Sequence, residues 1–535
     1  MANPGILYVT MQPKPGLPIQ QFHEWYNNEH GPTRLRLPEI FSNGLRYVAT
    51  DEEQPTYVAV YDVTSMSHLE TETYTSLRAN RSSREADTIG QVDVKRYFWD
   101  LVTTRQSPLF LPIEQLTDDE AEGIALVSVI LEPKGAPGAE AEIQKWYEEE
   151  HLEMLSKIPG WLRSRLFKTS SLEKNGAISF IALHDFAKEN GLGGPEQRAA
   201  MSTPWREEIY AKYATVASRR TYSLFYVFGP APRDLQNLSK LARASSTFKS
   251  PDAKTVTSND PVPVITSYVT APDGLSIPYR LEGNPDPKAP TIAFSNSLLT
   301  SLHMWDPFVE ILKAKRPQYR ILRYDFRGRY AIPSPPVPAT MEKLSDDLRT
   351  LLKALRIPKL DTLIGVSLGG ATALRFALTY PDQLDKFIAC DFNAAASAAN
   401  TNAWKDRIAI AEDASQGIGQ LAAQTVKRWF LPDTPKQDVV AWLTRMTAAN
   451  NVQGFKYGCQ ALWDYDMKAE MRECRVPALL VAGESDGRGV LVKTMEGFKD
   501  LLGEKGTELV IVPEAGHLPM CENPDGFWEA VEKFL

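Results

Sequence analysis

The sequence predicts two α and β architectures on one chain: a pair of tandem α+β repeats, then an α/β domain with a mainly parallel sheet and a helical cover. Three observations predict it. A Trp-Tyr-x-x-Glu-His segment at Trp25–His30 recurs at Trp146–His151, 121 residues on. A Pro-, Ser- and Asp-rich stretch without sustained periodicity spans residues 229–263. Beyond it, short apolar runs alternate with helical segments. At 535 residues the chain also exceeds what one hydrophobic core serves.

Bulk composition sets limits on partners. With 43% hydrophobic and 24% charged residues, the chain reads as an ordinary globular protein. A net charge of -8 and a pI near 5.6 argue against nucleic acid or an anionic membrane as a partner. No run approaches the roughly 18 unbroken apolar residues of a membrane span. The first residues lack a secretory leader's pattern and the closing Glu-Lys-Phe-Leu is no sorting address, so a cytoplasmic location is expected. The cysteines, Cys390, Cys459, Cys474 and Cys521, form no C-x-x-C pair, which predicts buried thiols rather than disulfides or a zinc site. Monomer and homodimer both stay open.

In the N-terminal part, strand-like runs precede each copy of the repeated segment, at Ile6–Thr10 and Ile124–Ile130. Others follow at Tyr57–Asp62 and Phe180–Asp185, and again at Lys95–Trp99 and Arg219–Phe225. Each copy, 4–105 and 120–228, thus reads β-α-β-β-α-β, the ferredoxin-like order. A four-stranded sheet with helices on one face leaves the other bare, and two tandem copies can cover each other. This part resembles the dimeric α/β-barrel superfamily, especially its EthD-like branch, whose members carry a similar Glu-His at the end of the first helix. The resemblance implies a barrel closed within one chain. His30 and His151 are then either acid-base groups or ligands in a cavity, or helix-end cations that complement the helix dipole. His23 and His30 lack the i, i+4 spacing of a zinc helix, and no phosphate-cradling or dinucleotide fingerprint appears, so neither metal nor cofactor is expected.

After the 229–263 linker, the domain at 264–535 shows apolar runs at Thr291–Phe294, Arg320–Tyr324, Thr362–Ile364, Lys386–Cys390, Ala478–Ala482 and Glu508–Val512. Helical segments such as Met341–Leu355 and Gly487–Leu502 fall between them, which predicts a mainly parallel sheet covered on both faces. Between about 393 and 467 strand signals vanish, and a helical lid is expected.

Gly365-Val-Ser367-Leu-Gly369 follows one apolar run and opens a helical stretch. A sharp strand-to-helix turn lifts a serine hydroxyl clear of the sheet, and its glycines let helix and strands approach. Of seven histidines only His517 lies after Ser367, in a loop directly after the run Glu508–Val512. It is the expected base, with Asp486 holding its imidazole and Glu484 as the rival acid. The Ser, Asp, His order is that of the α/β-hydrolases. The backbone N–H groups of Leu368 and Leu298 are the expected oxyanion donors. Asn296 is either a substrate contact or a turn residue satisfying local backbone groups.

Phe294–Asp306, Arg323–Gly328, Gly365–Gly370 and Ala515–Pro519 together resemble the 3-oxoadipate enol-lactonases, and Trp404-x-x-Arg407, Arg428-Trp-Phe430 and Gly458–Asp464 resemble that family's cap. The resemblance implies a cofactor-free hydrolase that opens a small lactone or ester through an acyl-enzyme, with Trp404 and Arg407 lining the pocket and Arg407 pairing a substrate carboxylate. Two departures stand out. Leu299 replaces the usual Gly, and Gly328-Arg-Tyr-Ala-Ile-Pro replaces a Gly-His-Gly turn. Other readings stay open: a carbon–carbon bond hydrolase or general carboxylesterase with the same residues, a non-catalytic hydrolase-fold binding protein, or main chemistry in the N-terminal barrel.

Overall fold

A computed structural model describes residues 3–173, 176–243, 246–413, 415 and 417–535. The chain divides into two compact units, Met1–Pro232 and Arg233–Leu535.

The first unit is a closed barrel of eight antiparallel strands: β1 (Gly5–Pro13), β2 (Leu45–Ala49), β3 (Tyr57–Val63), β4 (Val92–Gln106), β5 (Ala125–Pro133), β6 (Trp161–Thr169), β7 (Phe180–Phe186) and β8 (Ala214–Val227). Around the barrel the order is β4-β1-β3-β2, then β8-β5-β7-β6, closed by β2 against β8 and by β6 against β4. Alternation along the strands separates two kinds of core. Inward residues of both halves, among them Tyr8, Tyr47, Phe167, Leu183 and Tyr222, fill the barrel. Outward residues pack each half against its own helices, around Phe22, Trp25 and Tyr61 in the first and around Ile143, Trp146 and Leu166 in the second.

The repeated segment does not end its helix. Ile19–Trp25 runs through a π-helical turn at Tyr26–His30 into a further turn at Gly31–Leu35, and Tyr147–His151 repeats this between Ala139–Trp146 and Leu152–Leu155. Each π-turn thus carries its Glu-His within a continuous helical path. The two copies share one tie. Ser82 and Thr203, each the cap of a later helix, donate their hydroxyls to Glu29 and Glu150.

The second unit is built on a ten-stranded sheet: β9 (Phe248–Lys249), β10 (Val256–Ser258), β11 (Val264–Thr270), β12 (Ser276–Gly283), β13 (Thr291–Ser295), β14 (Arg320–Tyr324), β15 (Leu360–Val366), β16 (Leu384–Cys390), β17 (Ala478–Gly483) and β18 (Glu508–Val512). Its order is β18-β17-β16-β15-β13-β14-β12-β11-β10-β9. The pairs from β18 to β14 are parallel and the rest antiparallel. The chain reverses its direction of winding at β13, so the loops after β13 and β15 open into one crevice at the strands' carboxyl ends.

The stretch 229–263 is not a free linker. From Arg233 it belongs to the second unit, with a short helix at Leu235–Leu238 and with β9 and β10 on the sheet's edge. Two- and three-residue edge strands are too short to leave a period in the sequence. The linker's residues 244–245, like 174–175 of the second repeat and 414 and 416 of the lid region, lie outside the described residues. Over 393–467 the cover is helical, at Ala398–Glu412, Gly417–Trp429, Gln437–Ala448 and Val452–Cys459. No helix among the described residues is long and apolar enough to cross a membrane. All four cysteines are buried free thiols.

Candidate active site

Strand β15 ends at Val366, and Ser367 takes φ 59° and ψ -117° before the helix Leu368–Thr379 begins. A non-glycine residue rarely holds this left-handed region, and here its surroundings impose it. Ser367 N–H donates to the Cys390 carbonyl of β16 at 2.9 Å. The neighbours leave no room for side chains: a Cβ on Gly365 would lie 2.0 Å from the Gly369 carbonyl oxygen, and one on Gly369 would lie 2.0 Å from the Ser295 carbonyl oxygen. Gly369→Ala is therefore expected to push the helix off β13, destabilise the unit by about 1–3 kcal/mol and displace the loop that begins at Asn296. Thermal melting of this variant beside a hydrolysis assay checks both effects.

Beyond the end of β18, His517 reaches Asp486, with Nδ1 and Oδ2 2.7 Å apart. The loop is further fixed by the His517 backbone N–H, which donates to the Trp429 carbonyl at 2.7 Å, and the Trp429 ring stacks on the imidazole at 5.8 Å between centroids. Glu484, the rival acid, is exposed and accepts the Glu514 N–H at 3.2 Å instead. A hydrogen bond from Ser367 Oγ to His517 is not among the contacts of the described residues. Ser367 itself is only partly buried. Such bonds are often loose without substrate and tighten when it binds.

Two acids that sequence reasoning missed hold this loop cluster. Glu522 is buried and accepts the Gly516 N–H at 2.8 Å and the Leu431 N–H at 3.0 Å, tying the His517 loop to the end of a lid helix. Asp391, at the end of β16, accepts the Gly483 N–H at 2.9 Å and faces Asp486. Burial first, and the neighbouring Asp486 second, push the Asp391 carboxyl well above the usual range. Neither acid lies in a motif, which is why only the fold reveals them.

Leu368 is the first residue of its helix, so its N–H has no intrahelical acceptor. Leu298 lies in the loop after β13, packed under Gly458 of the lid. Asn296 corrects the idea of a substrate contact. Its amide donates to the Tyr324 carbonyl at 2.8 Å and to Asp325 at 3.2 Å, and it accepts the Trp305 indole N–H at 2.9 Å. A buried side chain so occupied braces the loop from behind. Both departures from the enol-lactonase pattern meet in front of it. Leu299 holds φ 73°, where glycine has no steric cost. Arg329 donates to the Leu299 and Thr300 carbonyls at 3.2 and 2.9 Å and to Asn450 of the lid at 3.1 Å. In the lid, the Arg407 guanidinium lies 4.3 Å over the Trp404 ring, and no carboxylate pairs with it among the described residues. Burial, then the nearby Arg428 charge, depress its pKa.

His30 and His151 are not helix-end cations. Both are buried, and desolvation pushes His30 down to about 3 and His151 well below its ordinary value. His30 pairs with Glu85 at 2.7 Å, while His151 stacks on Trp146 at 4.3 Å between centroids and its Nδ1 has no partner among the described residues.

Residues 290–524 match the α/β hydrolase fold family. The 3-oxoadipate enol-lactonases 2 and 1 of Acinetobacter baylyi are each 30% identical to this chain over 271 and 270 residues, which is half of this chain and 95% and 96% of theirs. An enol-lactonase structure from Burkholderia xenovorans LB400 shares 29% identity over 50% of this chain and 98% of its own, with a TM-score of 0.45. The matched relatives are covered almost completely by the C-terminal unit alone. Through that unit, the chain belongs to the α/β-hydrolase family.

Proposed function

We propose that the C-terminal unit is a serine hydrolase that opens a small lactone or ester, with Ser367 as nucleophile, His517 as base and Asp486 as its orienting acid. One observation carries the reading: the 2.7 Å His517–Asp486 contact in the loops after β17 and β18, on the sheet that also bears the strained turn at Ser367. With Asp486 fixing Nδ1–H, Nε2 keeps the lone pair that takes the Ser367 proton as Oγ attacks the carbonyl carbon. The N–H groups of Leu368 and Leu298 receive the carbonyl oxygen as it becomes anionic. The leaving enolate or alkoxide takes the proton from His517, and a water activated by the same imidazole then hydrolyses the acyl-enzyme. The likeness to enol-lactonases supports the lactone class.

The Arg407 guanidinium, which pairs with no carboxylate among the described residues, supports a substrate that carries its own carboxylate. Arg407→Ala is expected to raise KM for carboxylate-bearing lactones about tenfold to a hundredfold and to leave neutral esters nearly unchanged. Steady-state kinetics on both substrate types separates this role from mere lid packing. Profiling with enol-lactones, p-nitrophenyl esters and β-diketones tests the reaction class itself: preferred cleavage of β-diketones would favour a carbon–carbon bond hydrolase.

For the N-terminal unit, the strand order β4-β1-β3-β2, repeated as β8-β5-β7-β6, supports two ferredoxin-like repeats of the EthD-like kind, at 4–105 and 120–228, paired into one barrel.

A further inference from the structure

The loop after β13, which carries Leu298, is bent into a turn that its own side chains do not favour. The Thr300 N–H donates to the Ser297 carbonyl at 3.2 Å, and the Thr300 hydroxyl donates to the same oxygen at 2.7 Å. Ser297–Thr300 is therefore a β-turn, and of its two central residues only Leu299 has positive φ, at 73°. That is the pattern of a type II turn, whose third residue is glycine by preference. A leucine Cβ there crowds the following carbonyl oxygen, so the turn needs a hold from outside. The Ser297 carbonyl and the Leu298 N–H share one peptide plane and point in opposite directions. Whatever fixes the turn at the carbonyl end thus aims the N–H at the other.

We propose that Arg329 is a positioning residue for hydrolysis: it clamps this turn to the lid and so holds the Leu298 N–H where the oxyanion forms. The inference rests on the reading of Ser367 as nucleophile and of Leu298 as an oxyanion donor.

Arg329 Nη1 donates to the Leu299 carbonyl at 3.2 Å, to the Thr300 carbonyl at 2.9 Å and to Asn450 Oδ1 at 3.1 Å. Asn450 in turn donates its amide to the Leu299 carbonyl at 2.6 Å and to the Thr447 carbonyl at 2.8 Å. The carbonyl of the strained residue is thus gripped by both side chains. The other arm of the guanidinium, Nη2, donates to the Met446 carbonyl at 3.2 Å. Met446 lies in the last turn of the lid helix Gln437–Ala448, where carbonyls lack intrahelical donors and a cation complements the helix dipole. The Met446 sulfur returns the contact by accepting the Ser301 N–H at 3.3 Å. The turn before Arg329 is seated as closely, since a Cβ on Gly454 of the lid would lie 1.6 Å from the Gly328 carbonyl oxygen. A planar guanidinium can reach acceptors on both elements at once, which a single ammonium cannot do as well. Leu299 and Arg329 therefore form one device, the first straining the turn and the second holding it.

Fluorophosphonate labelling, followed as a rate and as an end point by intact mass, tests this on the full-length chain beside steady-state hydrolysis of p-nitrophenyl acetate. Arg329→Ala is expected to lower kcat and the labelling rate about tenfold to a hundredfold, with KM within about threefold and the end point still one adduct per chain. Asn450→Ala, the milder variant, removes one donor from the Leu299 carbonyl and should lower both rates about threefold to tenfold. Arg329→Lys should restore part of the loss. In a Leu299→Gly background, Arg329→Ala should cost less than about threefold, because glycine keeps the positive φ without the clamp. Unchanged rates in either single variant would overturn the proposal while leaving Ser367 in place. So would an undiminished loss in the Leu299→Gly background, or a fall in the Asn450→Ala end point that accounts for its whole loss of kcat. An unaltered chain that takes no label would remove the Ser367 reading and this inference with it.

Discussion

Replacing Ser367 by alanine is expected to lower kcat/KM for lactone opening by a factor on the order of 10⁶ while leaving the melting temperature nearly unchanged. Both halves of that expectation come from the turn. The hydroxyl makes no cap hydrogen bond to the helix it precedes, so its removal costs the fold little. The backbone strain at φ 59° persists in alanine, because it is imposed by the Cys390 carbonyl and by Gly365 and Gly369 rather than by the side chain. Catalysis loses everything that requires a covalent intermediate, and the oxyanion donors alone supply a small remainder. A fluorophosphonate label read by intact mass gives the same answer without a known substrate: the unaltered chain gains one adduct and Ser367→Ala gains none. Equal labelling of both proteins would sink the nucleophile assignment. Failure of the unaltered chain to label would favour a non-catalytic binding protein on the hydrolase fold.

The parts of this site legible in the sequence are those that chemistry confines to a few neighbouring residues. The pentad around Ser367 announces itself because a serine on such a turn needs glycines on both sides, and the turn forms as read. His517 is legible by elimination, since no other histidine follows Ser367. Long-range partners leave no such trace. Asp391 and Glu522 are single acids whose roles depend on which loop lies across from them, and Asn296 turns inward only because Trp305 and Tyr324 meet it there. The edge strands β9 and β10 escape notice because two or three residues carry no period. In the barrel, the repeated Glu-His reads as a helix end, whereas a π-turn carries the helix onward and buries the histidine. That burial reverses the charge argument: a cation at a helix terminus needs water or an acid, and desolvation removes the proton first.

The choice of orienting acid makes the sharpest separate test. Asp486→Asn is expected to reduce kcat about 10⁴-fold, whereas Glu484→Gln should stay within about twofold of the unaltered chain. The asparagine keeps the volume but can offer its N–H toward Nδ1, which favours the tautomer with its proton on Nε2, where the Ser367 proton must go. Glu484 is exposed and bound to a neighbouring backbone N–H, so its loss reaches the imidazole only weakly. Asp391 presents the subtler alternative, since it lies behind Asp486 in the same cluster. Two buried carboxylates side by side cannot both be charged at low cost, and the one with less access to water keeps the proton. Asp391 is the fully enclosed one, bonded to the Gly483 N–H, and burial with the neighbouring Asp486 pushes its carboxyl well above the usual range. Asp391→Asn, which retains a neutral donor toward Asp486, should accordingly cost far less than Asp486→Asn. If Asp391→Asn proved the more damaging of the two, the acid would have to be reassigned to the end of β16.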